Sequence, residues 1–149
     1  MTDPDPHPDP HPGTAPTLPP TPGPAPAPIA ELGAVVLDCP DPRALAAFYA
    51  GILGGTPAED DEGAWFDLEL PGGRTLAFQG APGHVPPEWP APGGSGSQQF
   101  HLDLTVTDLD EAEKGVLALG ARPLDTDDRA RTWRVYADPA GHPFCLCAC

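Results

Sequence analysis

Positive charge is scarce in this 149-residue chain: seven Lys and Arg stand against 22 Asp and Glu, for a formal net charge of −15. Binding to nucleic acid rests on cationic side chains against phosphate, so that class of partner is excluded. Lysine is reduced to Lys114 alone, leaving Schiff-base chemistry a single candidate. Serine is confined to Ser95 and Ser97 in a Gly-rich stretch. A Gly-x-Ser-x-Gly elbow between strand and helix is missing, and with it the serine hydrolases. Neither Gly-x-x-x-x-Gly-Lys nor Gly-x-Gly-x-x-Gly occurs, so the usual phosphate cradles are absent. No window approaches the roughly 20 apolar residues of a membrane span. The acidity suits a soluble protein whose field draws in cationic ligands.

Proline, by contrast, is abundant. Of 24 prolines, twelve fall in residues 1–28. That segment holds no aromatic residue and one leucine, too little apolar surface to offset the entropy of ordering. It is expected to be a disordered, polyproline-like arm. It lacks the basic start and apolar core of a secretory signal. A cytoplasmic, reducing setting follows, in which Cys39, Cys145, Cys147 and Cys149 are free thiols. Cys145, Cys147 and Cys149 alternate along a predicted strand, so they share one face.

The remainder, 29–149, is written twice. Trp65 to Gln79 lies over Trp133 to Cys147 at an offset of 68, matching Trp with Trp, Pro71 with Pro139 and Gly73 with Gly141. Each copy predicts a strand, a Pro-Gly turn and a second strand. Upstream, Ala34–Asp41 lies over His101–Asp108 at an offset of 67. Both runs are strand-like and end in an Asp suited to cap a helix. After Asp41, Pro42 takes the first helical position. Leu45, Phe48, Tyr49, Ile52 and Leu53 then fall on one helical face. After Asp108, Glu111 stands at the capping-box position, and Leu109, Ala112, Val116 and Leu119 mark the buried stripe. A short strand near 56–60 and another near 121–126 complete two β-α-β-β-β units. Module one spans 32–80, a Pro/Gly/Ser-rich linker 81–98, and module two 99–149. One such unit has a helix on one face of its sheet only, so two copies side by side make a cup-shaped sheet in an α+β fold.

The tandem β-α-β-β-β pattern, the Pro40-Asp-Pro…Phe48-Tyr…Leu53-Gly-Gly start and the Asp138-Pro-Ala-Gly141 turn before a last strand resemble the vicinal oxygen chelate superfamily. This includes glyoxalase I, extradiol dioxygenases, fosfomycin-resistance transferases and bleomycin-binding proteins. Gln98-Gln-Phe-His-Leu-Asp-Leu104 and the ending from Trp133 are similar to its glyoxalase-like subgroup, many of whose members have no assigned reaction. The resemblance implies four metal-ligand points, which fall here on Ala34, Ala77, His101 and Cys145. The alanines offer no donor, and Cys145 stands where the metal enzymes carry Glu. Chelation of a substrate's two oxygens needs about three protein ligands with open positions. The expectation is therefore a small-molecule binding protein without a complete metal site and with no cofactor. The alternative is a divergent metal-dependent lyase, isomerase or dioxygenase using His101 and Cys145. The ligand-binding residues expected are His101, Asp103, Cys145, Gln79, Trp133 and Arg134. No catalytic residue is assigned. His101 and Asp103 share a strand face opposite Leu102 and Leu104. Gln79 shares the face of Ala77. Trp133 serves either as an aromatic wall or as core. Arg134 either meets an anion or is tied by acids such as Asp138. His84, Trp89 and the linker are placed as a lid over the cup. In this superfamily modules pair within or between chains, which makes a homodimer compatible with the sequence.

Overall fold

The computed structural model describes residue 23, residues 27–89 and residues 99–148; the rest of the arm, residues 90–98 of the linker and Cys149 lie outside the described residues. The chain divides after Glu31, and every helix and strand among the described residues belongs to the unit Leu32–Cys149.

Both modules fold as the repeat predicts. In module one, β1 (Val35–Cys39) leads into α1 (Pro42–Leu53), followed by β2 (Pro57–Glu59), β3 (Trp65–Leu70) and β4 (Arg74–Gly80). Module two repeats this with β5 (Leu102–Thr105), α2 (Leu109–Ala118), β6 (Arg122–Asp125), β7 (Trp133–Ala137) and β8 (Pro143–Cys147). Each forms a four-stranded mixed sheet, in the orders β1-β4-β3-β2 and β5-β8-β7-β6. The sequence offsets reappear in the ladders. Trp65 pairs Gln79 as Trp133 pairs Cys147, and Val35 pairs Leu76 as Leu102 pairs Phe144.

The helix caps form as their residues dictate. Asp41 accepts from the Ala44 amide at 3.0 Å, and Asp108 accepts from the Asp110 and Glu111 amides at 2.9 and 3.0 Å. These bonds satisfy amides that the first turn leaves without partners. The side chain of Glu111 departs from the expected box and accepts from Lys114 at 2.6 Å. Leu119, expected in the buried stripe, is instead 42% exposed, since it caps the end of α2 and rests its side chain on the glycine surface of α1 at Gly51.

The modules share one core under the helices. Phe144 of β8 packs edge-on against Phe48 and Tyr49 of α1 and stacks on Tyr136. Tyr49 stacks on Phe78. Leu37, Leu76 and Phe78 from one sheet and Leu104, Phe144 and Leu146 from the other point into it. The alternate side chains of the same strands make the opposite, open face.

Candidate functional site

On the open face of module two, Asp103 of β5 stands beside Cys145 of β8 in the parallel ladder, and His101 lies two residues before Asp103. One ligand atom from each lies within 4.8 Å of the others. Strand alternation produces this cluster, because Leu102 and Leu104 take the core side and leave His101 and Asp103 outward. His101 Nε2 is 3.3 Å from Asp103 Oδ1, and both side chains are exposed, at 38% and 65%. Cys145 is buried. Burial first, and then Asp103, push its thiol up to about 12, so in the metal-free protein it stays protonated and is no nucleophile at neutral pH. The same holds for Cys39, raised to about 11 chiefly by burial, then by Asp138.

The other expected residues divide by strand parity. Gln79 is exposed on the open face of module one, beside Asp38 and Trp65 in the ladder. Trp133 lies on the open face of module two, opposite Cys147, half-exposed with the Arg131 guanidinium 4.6 Å above its ring. Arg134 points the other way. It is buried against α2, donating to Asp110 at 2.7 Å and Glu113 at 3.0 Å. Its anticipated tie to acids is therefore real, but the acids are on the helix and not at Asp138. Ala77 is fully buried in β4 between Val36 and Asp67, a methyl group with no donor.

The two sheets are not hydrogen-bonded to each other. Between their edge strands β1 and β5 runs a seam with a cavity at each end. One, of about 550 Å³, is bounded by Val35, Thr75, Leu76, Asp103 and Thr105. The second, of about 620 Å³, is bounded by Val36, Asp38, His84, Phe100, His101 and His142. Leu102 borders both. The described part of the linker closes over the second. His84 donates through Nε2 to the Ala140 carbonyl at 3.0 Å, and Trp89 meets the His101 ring edge-on at 5.1 Å. Gly141 lets the strap approach. Its φ is +92°, and a Cβ there would collide with Pro86.

One constellation was not singled out by the sequence reading. The Asp138 side chain, wholly buried, accepts from the Tyr49 hydroxyl at 2.8 Å, from the Ala140 and His142 amides at 2.9 and 3.0 Å, and from His142 Nδ1 at 3.0 Å. Burial, then Asp138, push the Tyr49 phenol well up, which holds it as a donor. The i,i+4 spacing of Asp138 and His142 across the Pro-Ala-Gly turn was the available signal.

A family model for a glyoxalase-like domain matches residues 34–147, a span that contains all ten elements and the His101, Asp103 and Cys145 cluster. The chain belongs to that family. Solved structures agree on the fold of this glyoxalase-like domain. A glyoxalase/dioxygenase from Nostoc punctiforme is 23% identical with a TM-score of 0.60, covering 82% of this chain and 92% of that one. The fosfomycin resistance protein FosX from Listeria monocytogenes is 16% identical with a TM-score of 0.59, covering 81% and 94%. A glyoxalase/bleomycin resistance/dioxygenase family enzyme from Burkholderia phytofirmans is 19% identical with a TM-score of 0.54, covering 78% and 97%. A mutant of the Listeria protein was solved with Mn(II) and a dihydroxypropylphosphonic acid. No curated protein matches the chain. Among the described residues, no helix is long and apolar enough to cross a membrane.

Proposed function

We propose that this glyoxalase-like domain binds a small organic molecule in the seam between its modules, with His101 and Asp103 on the wall, and without the metal set that the resemblance implies. The observation that carries this reading is the pair of cavities flanking Leu102, each within the few-hundred-Å³ range of small-molecule sites. Ala34 and Ala77 support the metal-free part, since module one brings no donor to its two ligand points. In a reducing cytoplasm Cys39 and Cys145 remain thiols outside any disulfide.

A second reading has its own support. His101, Asp103 and Cys145 offer three donors from module two alone. A set with a thiol suits Zn²⁺ better than the harder Mn²⁺, and three ligands leave an open position for Lewis-acid chemistry. Elemental analysis of untagged protein, alongside a thermal-shift screen of small molecules, separates the two. The first reading expects no stoichiometric ion and a melting temperature raised by some compounds. Near one zinc per chain, lost in His101→Ala, overturns it in favour of the metal enzyme. Light scattering tests the homodimer, in which a second copy would cover exposed Val36 and Trp133.

A further inference from the structure

Three of the chain's five histidines, His84, His101 and His142, come from separate segments and line the same cavity of about 620 Å³. Two of them have their protons fixed by their neighbours. His142 Nδ1 meets the carboxylate of Asp138, which accepts from three further donors. His84 Nε2 meets a backbone carbonyl, which can only accept. In the neutral form of each ring the other nitrogen is then the lone-pair acceptor. The two rings are neighbours, with centroids 5.1 Å apart. The His142 side chain is 17% exposed, so this edge of the dyad is screened from bulk water but reachable from the cavity.

The remaining polar lining extends the pattern. Asp38 adds a carboxylate, and Lys and Arg are absent from the lining. An anion would find no Lys or Arg partner in that lining. A ligand that satisfies two imidazole lone pairs and a carboxylate must bring several N–H donors and a positive charge. Val36, Leu37, Val85 and Phe100 give that charge an apolar setting suited to a hydrocarbon or aromatic body.

We propose that this end of the seam is a site for an organic cation, a primary ammonium or amidinium carried on an apolar body, received by His142 Nε2, His84 Nδ1 and the Asp38 carboxylate. Asp138 is the positioning residue. Held by Tyr49 from α1 and by the turn, it fixes the tautomer and the angle of the His142 ring. The proposal rests on the seam being the ligand site and names the chemistry of one end of it.

The test uses the full chain and calorimetric titration with benzamidine and benzylamine, with benzyl alcohol and benzoate as uncharged and anionic counterparts. Both cations are expected to bind, and the counterparts to bind at least about tenfold more weakly, the size of a lost charge-assisted hydrogen bond. His142→Phe and His84→Phe, which keep a ring but remove the lone pair, should each weaken benzamidine by about tenfold or more, while Thr105→Val at the other cavity should not. Should a Phe variant fail to fold, ¹⁵N spectra of the unaltered protein decide. Benzamidine must move the His142 Nε2 and His84 Nδ1 resonances, and benzyl alcohol must not. Equal binding of benzoate, or benzamidine binding untouched by both Phe variants, overturns the cation site. If Thr105→Val is then the variant that weakens binding, the seam reading survives with the ligand at its other end. A melting temperature that rises with Zn²⁺ and not with benzamidine overturns the proposal in favour of a metal site. If no compound binds at all, the cation site and the seam reading fall together.

Discussion

Module one and module two share a backbone plan and differ in what each face carries. The hairpin register is the same in both, Trp65 with Gln79 and Trp133 with Cys147. Under the helices, module one is the more apolar. Five residues of α1 are buried, Pro42, Leu45, Ala46, Phe48 and Tyr49, against Val116 alone in α2. Module two replaces that apolar anchoring with ions. Arg134 donates to Asp110 and Glu113, Tyr136 donates to Glu113 at 2.6 Å, and Arg129 pairs Glu113 from the outside. On the open face the asymmetry runs the other way in chemistry. The ladder position held by Ala77 in module one is held by Cys145 in module two, with Asp103 and His101 beside it. A repeated sequence fixes strand pairing through turns and alternation, while each face remains free to specialise. Here module one supplies most of the buried helix surface, and module two supplies the titratable wall.

The sharpest way to break this division is to remove a residue that belongs to both sides. Phe144 is fully buried, in contact with Phe48 and Tyr49 of module one and Tyr136 of module two. Phe144→Ala should cost about 3–5 kcal/mol in urea unfolding, the range for a buried aromatic truncation. If the modules were stabilised independently, the unfolding curve of this variant would split into two transitions. A single shifted transition is expected. Leu104→Ala, in the edge strand β5 and 9% exposed, should cost less, near the lower end of about 2–5 kcal/mol.

The ion network of module two gives a pH signature that module one lacks. Hydrogen bonds, foremost from Arg129, lower Glu113 from 4.5 to about 2, against the opposing effect of burial. Because the folded value is depressed, the stabilisation is present above the ordinary carboxylate range and is lost as pH falls from about 4.5 through about 2. Glu113→Gln should destabilise by about 1–3 kcal/mol at neutral pH, since charge-assisted bonds to buried Arg134 weaken. It should also flatten the fall in melting temperature between pH 5 and pH 2. A variant whose acid sensitivity matches the unaltered protein would show that the network does not distinguish α2 from α1.

Most of the architecture was legible because it is written in local signals. Asp41-Pro42 and Asp108 mark helix starts, and the Pro-Gly turns mark hairpins. Leu102 and Leu104 against His101 and Asp103 give the parity of β5. Arg134 was harder, because the parity of β7 turns on whether Trp133 is core or open wall, and its acids lie 21 and 24 residues away on α2. Asp103 was read as wall polarity and not as a third donor, since its distance to Cys145 is set by a parallel pairing across 42 residues that turn signals do not encode. The Asp138–His142 dyad was short-range in sequence, yet its meaning depends on Tyr49 and His84 arriving from module one and the linker.

The smallest expected effect on stability is also the most informative about the wall. His101 is exposed at 38%, and its polar contact is Asp103, itself 65% exposed. A polar contact so open to solvent contributes little. His101→Ala should therefore change unfolding free energy by no more than about 0.5 kcal/mol, while Leu104→Ala on the reverse face of the same strand costs several times as much. Measured side by side, the two substitutions test the parity of β5 without reference to any ligand. A large loss in His101→Ala with Leu104→Ala nearly silent would turn the strand over, moving His101 and Asp103 into the core and removing the titratable wall from module two. The expected order leaves His101 on an open surface that a ligand or ion can reach, so its substitution should act on binding and hardly on folding.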